Sequence, residues 1–140
     1  MSRRIFLDTS GWLAAISERE SLHQEALDAY RGVLTAGRGF VTTNLVVAEM
    51  YVLLLRHRGS TTAIQFMDAL EQDPAHEVRY VTRELERQAI NRWLRPYGDH
   101  RFSLTDAMSF EIMRVERIGE AFALDRNFRI AGFSTLPAIQ

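Results

Sequence analysis

The chain has 140 residues, 46% of them apolar and 25% charged, with a formal charge of −1, which fits a single globular domain spanning 1–140 and excludes a disordered chain. The absence of cysteine removes disulfides, zinc–thiolate sites, iron–sulfur clusters and thiol nucleophiles together. Near-neutral charge argues against coating nucleic acid by bulk electrostatics but leaves room for a local basic rim, and because all 17 basic residues are arginine, phosphate-loop and Schiff-base lysines are excluded.

Arg4 to Leu7 reads as a short buried strand. Ser10 to Ser17 reads as a helix with Trp12, Leu13 and Ile16 on one side, and Glu20 to Ala36 as an amphipathic helix stopped by Gly37 and Gly39. Phe40 to Thr42 is a second strand. Asn44 to His57 is a helix ended by Gly59, and Thr61 to Gln72 another, with Ile64, Met67, Ala69 and Leu70 inward. Glu77 to Val81 is a third strand, and Arg83 to Leu94 a charged amphipathic helix closed by Pro96 and Gly98. Leu104 to Ile118 is a helix ended by Gly119. Ala121 to Leu124 is a fourth strand and Phe133 to Leu136 a fifth, on a sheet edge. Strands separated by helices, with few hairpin signals, imply a parallel sheet of four to five strands covered on both faces. The arginine-rich stretch from Arg79 to Arg101 reads as a solvated helical face. The longest apolar run, Leu45 to Leu55, is broken by Glu49 and spans half a bilayer; the apolar stretch after Arg3 and Arg4 is cut by Asp8. The expectation is a cytoplasmic protein with no membrane contact.

Four acids stand in informative places. In a parallel α/β sheet, ligands gather outside the carboxyl ends of the strands. Asp8 ends the first strand and Asp125 the fourth, so neighbouring strands would turn both carboxylates into one crevice; the plainer readings are a helix cap and a turn residue. Glu49 sits in a helix apolar on nearly every side. It either occupies a narrow exposed stripe, pairs with an arginine, or points into a site as a metal ligand or outer-shell acid. Asp106, three residues after Ser103, fits a capping box, and an acid in that first turn can also bind a cation. Carboxylates without cysteine or clustered histidine favour Mg²⁺ or Mn²⁺ over zinc. His23, His57, His76 and His100 lie in different segments and show no ligand spacing.

Four segments carry a family resemblance: Ile5 to Leu13, Thr42 to Glu49, Ser103 to Phe110, and Phe122 to Phe128 with Ala131 to Phe133. In this order they resemble the PIN-domain family, most closely the VapC-type toxins of toxin–antitoxin pairs. The resemblance implies a three-layer α/β/α domain with a parallel sheet and an acidic pocket at the strand ends, with the family's four acids on Asp8, Glu49, Asp106 and Asp125. It also implies a Mg²⁺- or Mn²⁺-dependent endoribonuclease, a cognate antitoxin and a homodimer. Thr9, Ser10 and Thr105 look like orienting hydroxyls. Arg101, Arg126 and Arg129 are placed for RNA phosphates, and single-stranded or looped RNA is the expected substrate. A degenerate PIN binding module and a stand-alone RNA-processing nuclease without an antitoxin are the alternatives.

Overall fold

The computed structural model describes residues 3–138; the outermost positions of the expected 1–140 domain, residues 1–2 and 139–140, lie outside the described residues. Ile5, Phe6 and Leu7 form β1 (Ile5–Leu7), and all three are fully buried. A strand covered on both faces has no reason to alternate, so its apolar run is continuous. β2 (Phe40–Thr43) and β3 (His76–Arg79) lie on one side of β1, and β4 (Glu120–Phe122) and β5 (Ser134–Leu136) on the other. The order is β3-β2-β1-β4-β5 and every pairing is parallel.

Right-handed crossovers dictate where the helices go. The chain moves outward from β1 to β3 and then outward from β4 to β5 in the opposite sense, so the helices of the two halves cover opposite faces. α1 (Thr9–Ile16), α2 (His23–Thr35) and α3 (Asn44–Gln72) belong to the first half, and α1 packs on both α2 and α3. α4 (Arg83–Ala89), the π-helical turn Ile90–Leu94, α5 (Leu104–Glu116) and α6 (Asn127–Ile130) belong to the second, with α5 touching α4, the π turn and α6. The sheet changes direction between β1 and β4, which is where a doubly wound sheet opens a crevice. This is the expected three-layer α/β/α architecture. Among the described residues, no helix is long and apolar enough to cross a membrane.

Several expectations need correction. The two helices foreseen around Gly59 run as one element, α3, broken only at Gly59, whose φ of 86° and ψ of 172° are not helical. In its second half Leu70 is buried, but Ile64 and Met67 are 51% and 38% exposed and Ala69 is exposed too. Ala63 and Leu70 hold that half to the domain, so the inward stripe is narrower than the periodicity suggests. β3 begins at His76 and ends before Tyr80, which is 75% exposed. The expected helix 83–94 changes into a π turn at Ile90. β4 stops at Phe122, so Asp125 stands beyond a short turn rather than at the strand end. The short helix α6 was not foreseen.

Gly11 shows how closely α1 approaches the sheet. A Cβ at this position would run into the carbonyl group of Phe122 at the end of β4, which is backbone and cannot yield. Alanine is ordinarily the better helix residue by about 1 kcal/mol, whereas overpacking costs about 1–3 kcal/mol. The steric effect should win. Gly11→Ala is expected to lower stability by about 1–2 kcal/mol in urea denaturation, the overpacking cost less the helix gain; a variant as stable as the parent would contradict this packing of α1 on β4.

Candidate active site

Asp8 follows β1 and caps α1. Its Oδ2 accepts from the Ser10 amide at 3.1 Å and from the Ser10 hydroxyl at 2.6 Å. The same hydroxyl oxygen accepts from the amides of Leu124 at 3.0 Å and Asp125 at 3.2 Å. One serine thus stitches the end of β1 to the turn after β4, and brings Asp8 and Asp125 to one place.

Asp106 arrives on the first turn of α5. Its Oδ2 accepts from the Ser103 amide at 3.1 Å, while its own amide donates to Ser103 Oγ at 2.9 Å, completing the capping box expected from the sequence. Asn127 donates through Nδ2 to Asp106 Oδ2 at 3.2 Å and through its backbone amide to Asp125 Oδ1 at 2.9 Å. Asn127 is therefore the second tie, and sequence reasoning missed its role. The signal for it was an asparagine two residues after an aspartate, where an Asx turn closes naturally.

Asp8 and Asp106 are buried, at 6% and 8% exposure, Asp125 is half-buried, and Glu49 is exposed. The surroundings expected for Glu49 are thus corrected: its helix leaves Ala48, Val52 and Leu55 open as well. Glu49 nevertheless belongs to the cluster electrically. Partial desolvation and then the Asp106 charge raise its pKa, while the Thr9 and Thr105 hydroxyls beside it lower it. Burial raises Asp106, opposed by its bonds to Ser103 and Asn127 and reinforced by Asp125. Burial likewise pushes Asp8 up to about 6 from 3.8, against the two Ser10 bonds, with Asp106 and Asp125 adding to the rise.

Two features bear on whether a cation fits. First, among the described residues none of the four acids forms an ion pair. Each of the three aspartates spends one oxygen on protein donors: Oδ2 of Asp8, Oδ2 of Asp106 and Oδ1 of Asp125. Among the described residues their second oxygens accept no protein hydrogen bond. Second, the Thr9 hydroxyl is buried beside Glu49 and finds no other partner among the described residues. An all-oxygen, net-negative donor set of this kind suits a hard cation. Among the described residues, however, no three acid or imidazole groups converge tightly enough to enclose an ion; the acids are neighbours, not a closed cage. Arg101, Arg126 and Arg129 are all exposed and make no ion pair among the described residues. His100 is exposed and stacks on Phe102, its ring 5.5 Å away.

A parallel sheet of this order, with separate elements delivering acids to its switch point, defines a class as well as a fold. A family model for the PIN domain matches residues 5–134, and the chain belongs to the PIN-domain family. Within that family it is a VapC-type protein. It is 33% identical over 129 residues to the 23S rRNA-specific endonuclease VapC20 of two Mycobacterium tuberculosis strains, covering 92% of this chain and 95% of the relative. The crystal structure of M. tuberculosis VapC20, described as a sarcin–ricin loop cleaving toxin, superposes with a TM-score of 0.78 at 34% identity, over 92% of this chain and 95% of that one. The expected RNA-cleaving hydrolase of the toxin class is the function that this membership carries.

The raised pKa of Asp8 has a consequence for stability. An acid whose folded pKa exceeds its unfolded value binds its proton more tightly in the folded state, so its stabilising contribution is present at low pH and lost as pH rises. In EDTA, unfolding free energy should fall by up to about 3 kcal/mol from this group between about pH 4 and pH 6, with Asp106 and Glu49 acting in the same direction. Denaturation at a series of pH values checks it. Glu77 and Glu111, whose carboxyls are held below their usual range, act in the opposite direction, so the comparison is with Asp8→Asn, which should lack the Asp8 share of the fall; a variant curve that parallels the parent's over that window would count against the burial of Asp8.

Proposed function

We propose that this chain is a Mg²⁺- or Mn²⁺-dependent endoribonuclease, the toxin of a toxin–antitoxin pair, that hydrolyses RNA with water as the nucleophile. The observation that carries the reading is the set of three aspartates from three separate elements, each held through one oxygen and each keeping the other free. Asp8, Asp106 and Asp125 would hold the cation, with Glu49 at the rim to hold a second or to position water. When bound, such a cation lowers the pKa of water and offsets charge on the phosphate.

The protein's own groups do the rest. Ser10 and Asn127 hold the carboxylates in place, and Thr9 and Thr105 orient Glu49. Arg101, Arg126 and Arg129 reach phosphate oxygens of the incoming strand. The sarcin–ricin loop of 23S rRNA, named for the relative, is the substrate we assign, since a looped RNA exposes the backbone that a duplex would hold away from the acids. A cognate antitoxin and a homodimer complete the reading, which places the enzyme in the cytoplasm. Val52, Leu55, Ile64 and Met67 on α3 supply exposed apolar surface for such partners.

The test uses the purified protein and a sarcin–ricin stem-loop RNA. Mn²⁺ should restore cleavage stopped by EDTA. Asp8→Asn should reduce cleavage by at least about a hundredfold, the upper end of what even an outer-shell loss costs, while remaining folded. Metal should stabilise the parent with the logarithm of its concentration, about 2.7 kcal/mol at a hundred times Kd, and stabilise Asp8→Asn less. Cleavage that persists in excess chelator would sink the metal mechanism.

A further inference from the structure

The second half of the chain contains an element that the proposed chemistry does not use. Between positions 83 and 95 stand four arginines against two glutamates. Arg83, Arg87, Asn91 and Arg95 recur every fourth residue and all are exposed. In an α-helix four residues advance by about 400°, so such a row drifts around the helix by about 40° per step. The helix here does not stay α. From Ile90 to Leu94 it widens into a π turn, closed by the Arg95 amide on the Ile90 carbonyl at 3.0 Å. With roughly 4.4 residues per turn, four residues of π-helix advance by only about 330°, and the row drifts back. The π turn therefore keeps the row straight. Arg83, Arg87, Asn91 and Arg95 line one surface groove of about 240 Å³, together with Ile90 and Glu86.

The turn is held from below. Glu111 on α5 is fully buried, and its Oε1 accepts from the Trp93 indole at 3.1 Å, while Arg92 and Arg114 pair with its carboxylate at 3.2 and 2.7 Å. Trp93 is itself buried, at 8% exposure. The groove side is prepared as well: Arg95 donates through Nε to Asn91 Oδ1 at 2.8 Å, which fixes its guanidinium. Arg87 meets Glu84 only at 3.8 Å, with both side chains more than 60% exposed, a contact worth little. Three guanidinium groups stay available.

We propose that this straightened arginine row on α4 and the π turn is a phosphate-binding rail for the RNA backbone outside the acidic pocket. The inference rests on the ribonuclease reading for the identity of the polyanion. RNA fits the row better than an acidic peptide does, because a backbone with one charge per unit presents a phosphate to each of Arg83, Arg87 and Arg95 in turn, with the Asn91 amide between the last two. α4 packs along α5, whose first turn carries Asp106, so the rail and the pocket share one helix.

The experiment separates binding from cleavage. A labelled sarcin–ricin stem-loop RNA is titrated with full-length protein in EDTA, at several salt concentrations, and read by fluorescence anisotropy. The R83A/R87A/R95A triple variant should bind at least about tenfold more weakly and flatten the log–log salt dependence by about two, since each phosphate contact contributes about 0.7–0.9 to the slope. R83K/R87K/R95K, which keeps the charges, should recover most of both. The alanine variant should still turn over saturating RNA with Mn²⁺ at the parent rate, because the rail holds substrate rather than reacting with it. An alanine variant with the parent's affinity and salt slope overturns the rail, as does one that binds RNA normally but loses an acidic antitoxin segment. A parent protein that binds RNA through this row but cuts nothing with Mn²⁺ removes the nuclease reading and leaves the rail standing.

Discussion

One oxygen atom joins the two halves of this protein. The Ser10 hydroxyl donates to Asp8 at the end of β1 and accepts from the amides of Leu124 and Asp125 beyond β4. Those two strands are parallel neighbours in space but more than a hundred residues apart in sequence, and the order in which strands are added reverses between them. At such a point the connecting helices diverge to opposite faces and leave a crevice. Ser10 bridges its two sides, and the close approach of Gly11 to the Phe122 carbonyl fixes α1 beside it. Asn127 repeats the device from the other side by tying Asp106 to Asp125.

The chain treats its acids in two opposite ways. Burial pushes Glu111 up, yet Arg114, Trp93 and Arg92 outweigh it and hold the carboxyl below its usual range. Glu116 is likewise gripped by Arg79 and Arg4. Among the described residues Asp8, Asp106 and Glu49 receive no arginine, and burial together with their neighbours' charges raises all three. Uncompensated negative charge destabilises a fold unless something binds it. The first treatment builds structure, clamping the π turn and the end of α5. The second leaves charge unanswered in one crevice, as a site for a cation and a phosphodiester requires.

How much of this could be read from the sequence depends on the scale of the signal. The parallel sheet was legible because Ile5 to Leu7 and Phe40 to Thr43 are continuous buried runs between helices. The capping box of Ser103 and Asp106 was legible because it is local. Asp8 and Asp125 could be placed near strand ends, but not the serine that links them, because a contact across more than a hundred residues leaves no periodicity. For Glu49 an exposed stripe was one of the readings left open, but the stripe is wider than a helix dense in leucine and valine suggests, since Val52 and Leu55 are open too. The π turn was invisible, since Ile90 to Leu94 fits an α-helix equally well on propensity, and the Trp93 bond to Glu111 that accompanies the turn spans 18 residues and leaves no local pattern.

In the proposed reaction a cluster of acids, rather than a histidine or the RNA's own 2′-hydroxyl, organises the chemistry. Two of the four histidines support the distinction: His76 bonds Tyr30 and Asp73, and His23 bonds the Ala14 carbonyl, both away from the crevice. Mass spectrometry of the cleavage fragments tests this most directly. Attack by water predicts a 5′-phosphate and a 3′-hydroxyl, and continued cleavage of an RNA carrying a single 2′-deoxy substitution at the scissile position. Fragments ending in a 2′,3′-cyclic phosphate, with the deoxy substrate fully resistant, would contradict the account.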